Sequence, residues 1–245
     1  MDDKKTEELE KQYVKLIKDI RLNMIADISY VDEEIISRIN ETPEIIKIRD
    51  KMTDTNLFMQ AVLYDRMKLA KYLAEQGADI HYESKSDWFS GNALNGAKSP
   101  EMAEWLLSLG LKIEKNLVQN INERLVPYDN PAIAATLHEL PEMMRYWLNK
   151  EKDLFKDEPD FIDSLFATTV KNASFFNNNK MLTALISDDE LYPYLKNEYS
   201  EGDTWNLKDT IKLNKRGLKT IEAEELQDRK NELLKILNAR AKEFK

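Results

Sequence analysis

NLFMQAVLYDRMKLAKYLAEQGADI, residues 56–80, reads as two short helices with a break between them and a glycine at the end. Phe58, Ala61 and Val62 recur three and four apart, the spacing that lines one side of an α-helix. Asp65 and Arg66 interrupt that pattern, and Leu69, Ala70, Leu73 and Ala74 restart it on a second helix. Gly77 then supplies a residue that takes the left-handed conformation in which many helices end. Helices this short cannot shelter their own apolar sides from water. The pair therefore predicts neighbours of the same kind, and stacked units leave a period in the sequence.

Thirty-three residues after Gly77 comes Gly110, closing a second helix that carries Met102, Ala103, Leu106 and Leu107. AEQGADI becomes LSLGLKI, and NALNGA (residues 92–97) stands where NLFMQA (residues 56–61) stood, with a shorter turn between the helices. At this spacing the chain resembles the ankyrin repeat family. Further units extend the resemblance. NPAIAATLHELPEMMRYWLNK (residues 130–150) has Asn130-Pro131 at the entry, Ala135 at the small position of the first helix, and Met143, Met144 and Leu148 on the second. Glu151 replaces its closing glycine, which speaks against a regular hairpin after it. VDEEIISRINETPEIIKIRDK (residues 31–51) reads as the second helix and exit of an earlier unit whose first helix is LNMIADI (residues 22–28). FIDSLFATTVKNASFF and NKMLTALISDDE read as one more eroded pair. No unit carries the full threonine-proline-leucine-histidine signature, and Phe58-Met59 replaces leucine-histidine in the best one. The resemblance implies an all-α solenoid of stacked helix-turn-helix repeats over residues 20–190, three units clear and two degenerate.

Both ends of such an array need a cover that is apolar on one side and wet on the other. Residues 1–30 are expected to provide the first. A helix over residues 6–28 aligns Leu9, Tyr13, Leu16, Ile17, Ile20, Met24 and Ile25. Residues 191–245 form a C-terminal extension: loop over residues 196–219, then a long helix from Thr220 bearing Ile221, Leu226, Leu233, Leu234 and Leu237, which either seals the array or dimerises. Thr42-Pro43, Ser99-Pro100 and Asn130-Pro131 pair a capping residue with a proline suited to a helix start. Ser187 and Glu190 have the spacing of a capping box.

The chain holds 36 basic and 45 acidic residues, a net charge of −9, with 11 basic and 7 acidic from Lys208 onward. An acidic body repels phosphate backbones and steers a basic protein, so nucleic acid is not an expected partner. No run reaches the length of a membrane span, and MDDKKTEELEKQ lacks the apolar centre of a signal peptide, so no membrane association and a cytoplasmic location are expected. The absence of cysteine fits that compartment and removes disulfides, thiol nucleophiles and cysteine zinc sites.

For binding, the ankyrin resemblance implies projecting loop tips and the exposed side of the first helices. The tip after the clearest unit is HYESKSDWFSGN, which offers His81, Tyr82, Asp87, Trp88 and Phe89, rings of the kind that dominate binding hot spots, with Trp88 and Phe89 folding back over the neighbouring unit as the equal alternative. Exposed first-helix positions are expected at Gln60, Tyr64 and Asn95. Tyr72, Trp105 and Tyr146 hold one place in three second helices and are expected to serve packing between units.

Catalytic signals are weak. His81 and His138 fall in different units, HELPE lacks the second histidine of a zinc-protease motif, and no phosphate loop or serine elbow occurs. No metal and no cofactor are expected. The acidic clusters Asp32-Glu33-Glu34, Asp157-Glu158-Asp160 and Asp188-Asp189-Glu190 are expected to sit next to helix starts, where negative charge complements the helix dipole. The expected function is a non-enzymatic scaffold holding a basic protein partner. A narrower alternative is an immunity-type inhibitor of a basic toxin enzyme, and the rival class is a regulatory domain or an enzyme with an unrecognised site.

Overall fold

The computed structural model describes residues 3–21, 28–86, 89–115, 117, 130–175, 179–196 and 222–243. The chain divides into two compact units, residues 1–131 and 132–245. The repeat region expected over residues 20–190 runs across that division.

In the first unit α1 (Asp3–Arg21) buries Leu9, Tyr13, Leu16, Ile17 and Ile20. It packs on α2 (Ile28–Glu41), on a 3₁₀ turn (Pro43–Lys47) and on α3 (Leu57–Leu63). Met24, Ile25 and most of the short helix expected at residues 22–28 lie outside the described residues. α3 pairs with α4 (Met67–Glu75), burying Phe58, Ala61 and Val62 against Leu69, Ala70 and Leu73. The chain then forms a hairpin of β1 (Ser84–Lys85) and β2 (Ser90–Gly91), antiparallel with Ser84 opposite Gly91, so the unit is predominantly rather than wholly helical. NALNGA folds as a 3₁₀ turn (Ala93–Gly96) instead of a full first helix. Pro100 follows closely, and the residue before a proline is pushed toward extended backbone, which Ser99 adopts at φ −135° and ψ 148°. α5 (Pro100–Ser108) starts there, Ser99 Oγ accepting from the Met102 amide.

The two segments one period apart lie side by side. The Phe58 and Trp105 rings are 6.1 Å apart between centroids, and Leu63 packs over Gly96 so closely that an added Cβ would sit 3.1 Å from its side chain. Polar bonds repeat the spacing: Arg66 to Asp32 across 34 positions, Tyr72 to Asn40 across 32, Ser99 to Asp65 across 34 and Arg49 to Tyr82 across 33.

The helix ends repeat as well. Asp65, Gly77, Gly110 and Glu139 all have positive φ. At each, the following amide donates back to the carbonyl five residues earlier: Arg66 to Ala61, Ala78 to Leu73, Leu111 to Leu106 and Leu140 to Ala135. This is the Schellman closure that satisfies carbonyls left over by the last turn. The first helices α3 and α6 (Pro131–Leu137) close on an acidic residue, and the second helices α4 and α5 on glycine. Asn56 and Asn92 act alike at the entries. Each side-chain oxygen accepts from an amide of the first turn, and each Nδ2 donates to the carbonyl two residues past the closing glycine, Asp79 at 2.7 Å and Lys112 at 2.9 Å.

The second unit contains α6 (Pro131–Leu137), α7 (Pro141–Leu154), α8 (Pro159–Phe175), α9 (Asn179–Ser187), a 3₁₀ turn (Tyr192–Lys196) and α10 (Glu222–Glu243). α7 packs on α8 and α9 around Met144, Trp147, Leu148, Leu165, Phe166, Met181 and Leu185, all buried. Without a glycine at position 151, α7 runs on to Leu154 and takes Glu151 into the interior. Ser187 makes no capping box: its hydroxyl donates to Ala184 O, and Asp188 Oδ1 instead accepts from the Glu190 and Leu191 amides. Of the loop expected over residues 196–219, Lys196 closes the 3₁₀ turn and the rest lies outside the described residues. α10 packs within this unit, on α9 and the 3₁₀ turn, with Leu233 buried. Tyr192 is the centre of that contact. Its ring has Lys196 Nζ at 4.6 Å and Arg229 Cζ at 5.1 Å, and its hydroxyl lies 2.8 Å from Glu232 Oε2.

The expectation for the first acidic cluster is corrected here. α2 starts at Ile28 with no acidic residue in its first turn, and Asp32 lies further along it, buried and ion-paired with the equally buried Arg66, which follows the αL turn at Asp65. No helix among the described residues is long and apolar enough to cross a membrane.

Candidate polar and aromatic tip

Two turns project beside each other from the first unit. The earlier spans residues 49–56, closed by an Arg49–Asn56 bridge and by the Asp50 amide donating to Thr55 O at 2.8 Å. Asp50 Oδ1 accepts from the Met52 and Thr53 amides, the side-chain mimic of a backbone turn. Asp54 turns the chain at φ 50°, a conformation that short polar side chains tolerate. The later is the β1–β2 hairpin.

Side chains lock the two together. Arg49 Nη1 donates to the Tyr82 hydroxyl at 2.6 Å, and that hydroxyl donates to Asp54 Oδ1 at 2.8 Å. The guanidinium also lies 5.1 Å from the ring centroid, within cation–π range. Desolvation first, and the bond to Asp54 second, hold the Tyr82 phenol above its usual value, so it remains a neutral donor. The Ser84 and Ser86 hydroxyls each lie within bonding distance of two carbonyls, Thr53 of the earlier turn and Phe89 of the hairpin. These bonds fix hairpin and turn as one piece.

The six described residues among the eight expected to bind separate into three groups. His81 is exposed and Tyr82 half-buried at the tip. Tyr64 is half-buried beside the tip's helix pair, with Lys98 Nζ 5.3 Å above its ring. Gln60 and Asn95 are corrected to buried, and Phe89 takes the buried one of its two expected places. Gln60 Nε2 donates to Thr55 Oγ1 at 2.6 Å and Asn95 Nδ2 to Ser90 O at 2.8 Å, so both spend their donors holding turn backbone. Phe89 folds back because an apolar ring gains more under the hairpin than in water. Asp87 and Trp88 lie outside the described residues.

Arg49 and Asp54 were not legible as site residues, although a signal existed: Arg49 precedes Tyr82 by one period. Tyr72, Trp105 and Tyr146 are each half-buried, Tyr72 bonded to Asn40 and Trp105 against Phe58, consistent with packing. His138 stands exposed just past the end of α6. No family model matches the chain, and no curated protein does.

Proposed function

We propose that the chain is a non-enzymatic binding module, a divergent ankyrin-like array whose projecting tip holds a basic protein partner in the cytoplasm. The observation that carries this is the locked tip. Tyr82 is held by Arg49 and Asp54 with part of its ring still open to solvent, and exposed His81, Glu83 and Lys85 surround it. An aromatic side chain fixed before binding loses little freedom on contact, which is what a hot spot requires. Support for the array comes from the polar bonds one period apart and from the repeated helix closures. The net charge of −9 supports the sign of the partner. The narrower reading, an immunity-type inhibitor of a basic toxin enzyme, draws on that charge alone.

The test is capture from an extract of the source cell on immobilised full-length chain, beside the doubly substituted His81→Ala, Tyr82→Ala chain. A basic protein should be retained by the parent, at least about tenfold less by the variant, and less by either as salt rises. Equal retention by a variant with an unchanged circular dichroism spectrum and melting point would rule the tip out.

A further inference from the structure

We infer that copies of the chain associate head to tail, the outer side of α1 in one copy docking on the turn between α7 and α8 of another. The contact is independent of the tip and adds a partner, a second copy, that the tip does not involve. From residue 11 to the end of α1 the exposed side chains are Lys11, Val14, Lys15, Lys18 and Arg21, a stripe at helical spacing with four cations and no carboxylate. The half-buried anions on the same stretch of helix are engaged elsewhere, Glu10 with Lys51 and Asp19 with Arg38. Lys11 reaches back to Glu7 at 2.8 Å, an exposed pair of the kind that contributes little. Lys18 and Arg21 suit the negative end of the α1 dipole. Val14 and Lys15 have no such use in their own helix, and Val14 is 50% exposed.

The turn after α7 has the opposite character. Leu154, the last residue of α7, is 59% exposed, and Phe155 and Phe161 follow as a half-buried edge-to-face pair with ring centroids 5.0 Å apart. Around them residues 153–163 expose five carboxylates, Asp153, Asp157, Glu158, Asp160 and Asp163, against one lysine, Lys156. Glu158 and Asp160 stand at the start of α8, where negative charge complements the dipole, but Asp153 lies in the last turn of α7, where it opposes the dipole. Its own helix gives no reason for it. Val14 and Leu154 are thus two of the three large apolar side chains left exposed among the described residues, and the charges beside one are opposite in sign to those beside the other. Exposed apolar surface rimmed by charge marks an interaction site, and complementary sign selects its occupant. In a chain of net charge −9 the basic stripe finds that complement on every further copy. Because the two faces differ, the contact is heterologous, and association continues past two copies unless the rotation closes a ring.

The experiment is sedimentation equilibrium of the full-length chain from about 10 μM to about 1 mM, a range suited to a small interface. At low salt the weight-average mass should climb with concentration above that of one chain, and climb less in about 0.5 M sodium chloride. Two variants each remove one face while keeping helix-forming side chains: Val14→Gln with Lys15→Gln, and Asp153→Gln with Leu154→Gln. Each alone, folded by circular dichroism, should associate at least about tenfold more weakly than the parent. Mixed in equal amounts they retain one intact face each, so the mass should rise toward two chains and stop there. His81→Ala with Tyr82→Ala should associate as the parent does, which separates failure of this contact from failure of the tip. A parent that stays single at every concentration, either face variant associating as the parent does, or a mixture of the two folded variants that stays single would overturn the inference.

Discussion

Arg66 Nη2 lies 2.5 Å and Nε 2.8 Å from Asp32 Oδ1, joining the α3–α4 turn to α2 where neither side chain is more than 4% exposed. A buried ion pair adds little net stability over an apolar replacement, but losing one partner strands a charge in the interior. Asp32→Ala and Arg66→Ala should each cost about 3–5 kcal/mol in urea denaturation. Asp32→Leu combined with Arg66→Met should cost much less than the sum of the two single losses, and a sum that is simply additive would show that the pair does not interact.

Asn56 serves two ends of its unit with one side chain, capping α3 and holding the Asp79 carbonyl. Asn56→Ala loses both bonds, and about 1–3 kcal/mol of stability is expected to go with them. Asn56→Asp retains the cap but cannot donate, so it should fall between the parent and the alanine variant. Thermal melts of the three proteins would order them.

Gly77 and Gly110 have φ of +80° and +87° with open space where a Cβ would be. Alanine at either should cost about 1 kcal/mol through backbone strain alone. Gly96→Ala differs in kind, because its methyl would press on Leu63 at 3.1 Å and separate two neighbouring segments. Its effect should be relieved by Leu63→Ala, while the effects at Gly77 and Gly110 should not.

Tyr13 donates to Thr55 O at 2.8 Å, and burial first, then the charge of Asp50, raises its phenol far above the ordinary value of 10.0. The folded protein thus holds this proton more tightly than the unfolded chain. The stabilisation is complete below about pH 10 and is lost as pH rises above it, because the unfolded phenol ionises first. Chemical denaturation from pH 8 to 11 should show stability falling at the alkaline end. Tyr13→Phe should flatten that fall, and an identical fall in the variant would assign it elsewhere.

α10 is held differently from the helices of the core. Only Leu233 is buried among its described side chains, and Arg229 and Glu232 provide ion pairs to Asp189 and Lys196. Exposed pairs weaken with salt while apolar packing does not. Amide exchange over residues 222–243 should therefore accelerate between 0.05 M and 1 M sodium chloride with α7 to α9 unchanged, and equal acceleration throughout would indicate global rather than local opening.

Much of this structure was readable from spacing. Apolar residues three and four apart located α3 and α4, and Gly77 and Gly110 marked the stops of α4 and α5 and the period between them. What escaped were decisions made between distant segments. Gln60 and Asn95 look like surface residues until turn backbone is placed beside them, and the choice between exposure and burial at Phe89 is made only when the hairpin folds. Asp32 resembles any acidic residue at a helix start, and nothing in its neighbours announces an arginine 34 positions later. Tyr82 was found by composition; the partners that fix it, Arg49 and Asp54, belong to the preceding period and could be found only by laying one repeat on the next.

The whole account depends on segments one period apart packing side by side, since the proposed tip joins two such segments through Arg49 and Tyr82. The most direct measurement is the nuclear Overhauser spectrum of the full chain in solution, between the Leu63 methyls and Gly96 Hα and between the Phe58 and Trp105 rings. Cross-peaks at both pairs are expected. Their absence, with α3, α4 and α5 present as helices, would contradict the stacking and remove the basis for the proposed surface.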